Sequence, residues 1–129
     1  MKKLFFTLVS VLLFAAATNA QGVLKFNKET HDFGKLSEGP LATYSFEVTN
    51  TGTAPVVITN AQASCGCTTP EWSKEPIMPG AKSVIKVGYN TSGRPGAFTK
   101  TITVVSNAEN GTVILTIKGN VTPKATGGK

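Results

Sequence analysis

Thr43-Tyr44-Ser45-Phe46-Glu47-Val48-Thr49 alternates without a break: Tyr44, Phe46 and Val48 are apolar, and the residues between them are polar. A strand with one face on a core and the other in water has this period of two, whereas a helix would repeat its apolar positions roughly every 3.6 residues. The run stops at Asn50-Thr51-Gly52, a turn signal. Pro55 then opens a second run, Val56 to Ala61, rich in β-branched side chains. Further along, Lys82 to Tyr89 follows a Pro79-Gly80 turn and places Ile85, Val87 and Tyr89 on one face. Phe98 to Val105 groups Phe98, Ile102 and Val104, with threonines opposite. Gly111 to Val121 turns Val113, Leu115 and Ile117 inward. Before the first run, Val23 to Phe26 and Phe33 to Leu36 read as two short strands.

No segment sustains a helical repeat. About seven strands separated by turn signals predict an all-β, immunoglobulin-like β-sandwich of antiparallel strands. It is expected to span residues 21–122 as one domain, with a small polar tail over 123–129.

Residues 1–20 have the make-up of a secretory signal peptide. Lys2 and Lys3 form a positive start, Leu4 to Ala17 is apolar, and Thr18-Asn19-Ala20 supplies small residues for cleavage. The apolar run is short for a membrane span, and no cysteine follows it to take a lipid. The chain is therefore expected to be exported, periplasmic or secreted, with no stable membrane anchor once the leader is removed. Cleavage after Ala20 would leave 109 of the 129 residues, enough for one real core.

The formal charge of +6 falls to +4 without the two leader lysines, and the remaining cations are scattered along the chain. Neither a basic stripe nor interleaved aromatics are present, so nucleic acid is not an expected partner. The chain has one histidine, His31, and one aspartate, Asp32. Adjacent residues of a strand face opposite ways, so the two do not make a hydrolytic triad with a serine, and no acid–base catalysis is expected.

Both cysteines and the only tryptophan fall within eight residues, Cys65-Gly66-Cys67-Thr68-Thr69-Pro70-Glu71-Trp72. In an extended strand the Cα atoms of Cys65 and Cys67 would lie roughly 6.5–7 Å apart, at the limit of a disulfide. A bridge needs a bend, which Gly66 permits. Closing a loop around one residue removes little entropy from the unfolded chain, so a structural staple is a poor use of the pair. Thiol redox chemistry is one alternative. Soft-metal binding is another: two thiolates suit Cu(I) better than zinc, with Met78 and His31 as the further donors to consider. A third is a loop-shaping role without chemistry. Trp72 is expected to cap the cysteine loop, and Met78 to pack beside its turn.

Several of these stretches together resemble the bacterial family catalogued as domain of unknown function 1573. They are His31-Asp32-Phe33-Gly34 with Glu38-Gly39, Asn50-Thr51-Gly52, Ala63-Ser64-Cys65-Gly66-Cys67-Thr68, Pro76-Ile77-Met78-Pro79-Gly80, and Lys100 to Val104 ending in Ser106-Asn107. The resemblance runs from Phe26 to Val121. It implies an immunoglobulin-like fold akin to the sandwich domains of ciliary and centrosomal scaffold proteins, and it implies no activity. A second resemblance is to the copper chaperone that assembles cytochrome c oxidase, also an immunoglobulin-like domain with a Cys-x-Cys site. There Cys65 and Cys67 would take the ligand positions and Pro79-Gly80 the turn. This chain departs from that pattern in carrying Gly66 where an aromatic is usual and in lacking the anchor.

The expected function is a non-enzymatic binding module for a protein or cell-envelope component, with the Cys-Gly-Cys loop as its site. The alternative is a Cu(I)-binding or thiol-redox protein acting through Cys65 and Cys67.

Overall fold

The computed structural model describes residues 20–124. The leader reading, apart from Ala20, and residues 125–129 of the tail lie outside the described residues. Eight strands follow one another: β1 (Leu24–Phe26), β2 (Thr30–Ser37), β3 (Leu41–Asn50), β4 (Ile58–Ala63), β5 (Thr68–Trp72), β6 (Lys82–Asn90), β7 (Gly96–Ser106) and β8 (Thr112–Thr122). They form two four-stranded sheets, ordered β1-β3-β6-β5 and β2-β8-β7-β4. The chain is an immunoglobulin-like sandwich, as its alternating sequence predicts.

The core lies between the inner faces of the two sheets. Phe46 and Val48 of β3 and Ile85 and Val87 of β6 are buried, as are Ile102 and Val104 of β7 and Leu115 and Ile117 of β8. These are the apolar members of the alternating runs. The register keeps them in phase, pairing Phe46 with Ile85 in one sheet and Ile102 with Leu115 in the other. A slip of one residue would turn every one of them to solvent.

Two features differ from the sequence reading. The number of strands is eight, because Thr68–Trp72, which reads as loop, pairs with β6 from Thr68↔Tyr89 to Trp72↔Ile85. Pro70 masks it, since proline is tolerated in a strand only at an edge, and β5 is an edge. Not every pair is antiparallel either: β2 runs parallel to β8. A parallel neighbour needs a crossover rather than a hairpin, and β2 is reached by crossing from one sheet to the other. Smaller shifts occur at strand ends. β4 starts at Ile58, while Val56 exchanges backbone hydrogen bonds with Ile77 as an isolated bridge. In β2 the pairing with β8 shifts between Asp32 and Lys35, at Gly34, whose φ of +67° is a left-handed backbone that suits glycine.

The Asn50-Thr51-Gly52 turn proves to be a buried polar hub. Asn50 is fully buried, and its Nδ2 donates to the carbonyls of Ala54 and Ile77, both at 2.8 Å. Its Oδ1 accepts the N–H of Gly52 at 2.9 Å and of Val23 at 3.3 Å. The side chain thereby ties three segments to the end of β3. Gly52 lies so near the segment before β1 that a Cβ would run into the Gln21 carbonyl and the Val23 nitrogen.

On the opposite seam, between β2 and β3, His31 stacks flat on Tyr44 with ring centroids 3.6 Å apart. It also meets Phe33 edge-on at 4.6 Å. Its Nδ1 is buried without a hydrogen-bond partner. The ring packs between Tyr44 and Phe33 as one more aromatic of the seam. Burial, and then the charge of Lys28, holds its pKa below 6.5, against a smaller opposing pull from Asp32.

Asn50→Ala leaves two backbone acceptors and two backbone donors without their partner, and is expected to cost roughly 2–4 kcal/mol in chemical denaturation. His31, with its pKa lower in the folded than in the unfolded chain, binds more protons when unfolded. Its contribution is thus complete above the unfolded value and is lost as pH falls through the folded one. Thermal melts from about pH 7 to pH 5 should show wild type losing stability more steeply than His31→Phe, with the other titrations common to both chains.

Candidate functional site

The cysteine loop joins the two sheets. β4 ends at Ala63 in one sheet and β5 begins at Thr68 in the other, so residues 64–67 carry the chain across the edge of the sandwich. Both ends of the crossing are fastened. Ser64 N donates to Thr101 O at 2.8 Å, and Thr101 N donates to Ser64 Oγ at 3.2 Å, which holds the start against β7. Asn90 N donates to Cys67 O at 2.9 Å, which holds the finish against β6.

Between these anchors the backbone bends, and the Cα atoms of Cys65 and Cys67 come within 5.3 Å. That is inside the span a disulfide needs, and the two sulfurs are bonded. The backbone bends around Gly66, as a bridge requires, though the bend does not demand a glycine. The φ of Gly66 is not left-handed, and a Cβ there would meet nothing within 4 Å. What Gly66 does is leave the tip of the loop bare.

The surroundings of the two sulfurs differ. Cys65 is half-buried, with exposed Ser64 and Gly66 on either side, while Cys67 belongs to the core cluster at 6% exposure. Cys65 Sγ accepts the Cys67 N–H at 3.2 Å. Thr68, next in sequence and itself buried, places its Oγ1 3.6 Å from Cys67 Sγ and 3.9 Å from Cys65 Sγ. Ser64 and Thr68 do not stand out in the sequence, where they look like ordinary strand-end residues. Their signal is that they flank the cysteines within the Ala63–Thr68 stretch, with nothing to mark a role of their own.

The other singled-out residues are elsewhere. Trp72 is the last residue of β5, and its Nε1 donates to Ile58 O at 3.2 Å. Ile58 is the first residue of β4, so the indole closes the β4–β5 seam at the end away from the cysteines and does not cap their loop. A side chain four strand positions beyond Thr68 is displaced by roughly 13 Å. Met78 is exposed in the turn that precedes β6, whereas Cys67 sits beside the last residue of β6, on the order of 25 Å away along the strand. His31 is on β2, three strands across its sheet from β4. The fold thus brings neither Met78 nor His31 to the sulfurs. Among the described residues no three His, Cys, Asp or Glu side chains are grouped to hold a metal ion. A groove of about 540 Å³ lies over β1 and β3, lined by Lys25, Glu47 and Lys82, at the end of the sandwich opposite the bridge.

No curated protein matches the sequence. Among solved structures, the fold is similar to a protein of unknown function from Porphyromonas gingivalis W83. The TM-score is 0.70 at 19% identity, over 84% of this chain and 51% of that one. The chain therefore spans about half the length of that protein. It is also similar to the PapD-like domain 7 of human CEP192, with a TM-score of 0.67 at 11% identity, over 89% of this chain and 96% of that domain. A third likeness is to the secreted serine protease VesC from Vibrio cholerae, with a TM-score of 0.57 at 15% identity, over 76% of this chain but only 23% of the protease. At these identities the likeness is one of fold, and fold alone carries no activity. The family itself is shown by the sequence: a family model described as "Protein of unknown function (DUF1573)" matches residues 24–121, and the chain belongs to that family.

Proposed function

We propose that this chain is an exported immunoglobulin-like module that engages a partner protein or cell-envelope component through the Cys65-Gly66-Cys67 end of its sandwich. The chemistry at that end is thiol–disulfide exchange. One observation carries the reading: a disulfide with one partly exposed and one buried sulfur bridges a single residue in a loop already fastened at both ends by backbone hydrogen bonds. Such a bridge has little to hold together. It spans two positions, so its effect on the unfolded chain is small. Ser64 and Cys67 already lock the crossing to β7 and β6, and Trp72 closes the seam beyond it. A bridge of low structural worth, with one sulfur within reach of solvent, is the kind that exchanges. The leader motif supports export, and an oxidising compartment is where such a bridge persists.

A resident Cu(I) ion is less well supported. The donor set that this chain brings to one place is two sulfurs, with Met78 and His31 both held at a distance by the fold. Any third ligand would have to come from the partner. A copper-binding role also requires the pair reduced, since bonded sulfurs are not thiolates.

The chain, purified after export, should be reduced by glutathione buffers with no loss of its β-sheet circular dichroism. A Cys65→Ser, Cys67→Ser double variant should unfold within about 1 kcal/mol of wild type, against the 2–5 kcal/mol typical of a structural bridge. A pair that resists glutathione, or whose reduction unfolds the sandwich, would overturn the exchange reading. In an anaerobic competition for one equivalent of Cu(I) against a chelator, the reduced wild type and the double variant should lose the metal alike. Retention by wild type alone would move the assignment to copper.

A further inference from the structure

The two sulfurs of the bridge are not equivalent, and Thr68 points to what separates them. Cys65 is partly exposed between exposed neighbours and packs against the edge of the core, whereas Cys67 is buried within it. Thr68 is 4% exposed, and the hydrogen-bonding neighbours of its hydroxyl are the two sulfurs. A bridged sulfur carries no proton, so the hydroxyl is the donor, and its one hydrogen serves one sulfur at a time, Cys67 Sγ being the nearer. Neutral sulfur is a weak acceptor, and a buried hydroxyl directed at it gains little. The same hydroxyl gains far more when one sulfur becomes a thiolate, because hydrogen bonds to charged groups are about twice as strong as neutral ones. The Cys67 N–H, aimed at Cys65 Sγ, likewise favours negative charge on Cys65.

Resting on the exchange reading above, we propose that the exchange has a fixed polarity. The partner's sulfur bonds to Cys65, and Cys67, with the Thr68 hydroxyl beside it, is the resolving thiol. The substrate class is a disulfide displayed on an exposed segment of a partner protein, because Cys65 is only partly exposed and a group that protrudes is needed to reach it. In the reduced chain the Cys65 thiolate attacks one sulfur of the partner disulfide. The partner's S–S bond breaks, its other sulfur leaves as a thiolate, and a Cys65–partner mixed disulfide remains. Cys67 then loses its proton to the departing sulfur, the Thr68 hydroxyl donates to the thiolate so formed, and that thiolate attacks Cys65 Sγ. The mixed disulfide breaks, the partner's second sulfur leaves, and Cys65 and Cys67 are bonded. Two electrons have passed from the cysteine pair to the partner, which ends as a dithiol. A partner dithiol meeting the bridged chain runs the same steps backwards.

Three measurements test this, with glutathione as the probe. In the reduced wild type, brief iodoacetamide labelling followed by fragment mapping should modify Cys65 at least about tenfold faster than Cys67, as a difference in exposure and thiolate character predicts. With glutathione disulfide, Cys67→Ser should accumulate a mixed disulfide on Cys65, while Cys65→Ser reacts about tenfold more slowly. Thr68→Val should slow release of glutathione from the mixed disulfide about tenfold, and Thr68→Ser should restore it, since the serine keeps the hydroxyl. Equal labelling of the two cysteines, faster labelling of Cys67, or an unchanged release rate in Thr68→Val would overturn the polarity. The wild-type labelling stands even if a serine variant fails to fold. If the oxidised wild type is not reduced by glutathione at all, the exchange reading falls and the polarity with it. If it is reduced but the cysteines label equally, only the polarity falls.

Discussion

A strand can hide only every second side chain, and this sandwich rests on two sheets obeying that limit in phase. Phe46, Val48, Ile85 and Val87 on one inner face meet Ile102, Val104, Leu115 and Ile117 on the other. Every connection between the sheets must then leave the core, cross an edge and re-enter with the correct residues inward. The crossings are where irregular backbone collects, and irregular backbone at a surface is where small domains carry their chemistry. The loop from β4 to β5 is such a crossing, and it carries both cysteines.

The contrast between the two sulfurs follows from that placement. Cys67 is the last residue before the chain rejoins a sheet, so its side chain falls into the core. Cys65, two residues earlier, is still on the way across and stays partly in solvent. Thr68 is the first residue of the new strand and points inward like any residue on that face, which brings its hydroxyl beneath the bridge. No separate device is needed to make the pair asymmetric. The geometry of changing sheets does it.

Most of the fold was legible in the sequence because alternation is a local signal. The strands at residues 43–49, 82–89, 98–105 and 111–121 all sit where their period places them, with the expected side chains inward. What escaped depends on partners far away in sequence. Thr68–Trp72 is a strand because β6 lies beside it, and Pro70 hides that from any local reading. The parallel pairing of β2 with β8 leaves no mark on either strand. At the site, the cysteines announced themselves by spacing, while whether they were bridged, metal-bound or free depended on how the backbone bends between the sheets. The role of Trp72 was misplaced for a geometric reason: nearness in sequence suggested contact, but a strand carries each residue steadily away from the last. Asn50 read as a turn residue and proved to be a buried hub, because the carbonyls it serves belong to segments that only the fold assembles.

The partnership of β2 with β8 also bears on how the molecule comes into being. Residues 30–37 find their place only against residues 116–122, near the far end of the described chain. Contacts so distant along a polymer are slow to close, and a topology dominated by them folds late rather than as it is synthesised. The N-terminal edge of the second sheet therefore has no pairing partner until residues 116–122 are in place. Cys65 and Cys67 are under no such delay. Separated by one glycine, they are neighbours from the start, and no distant segment has to arrive before the two sulfurs can meet.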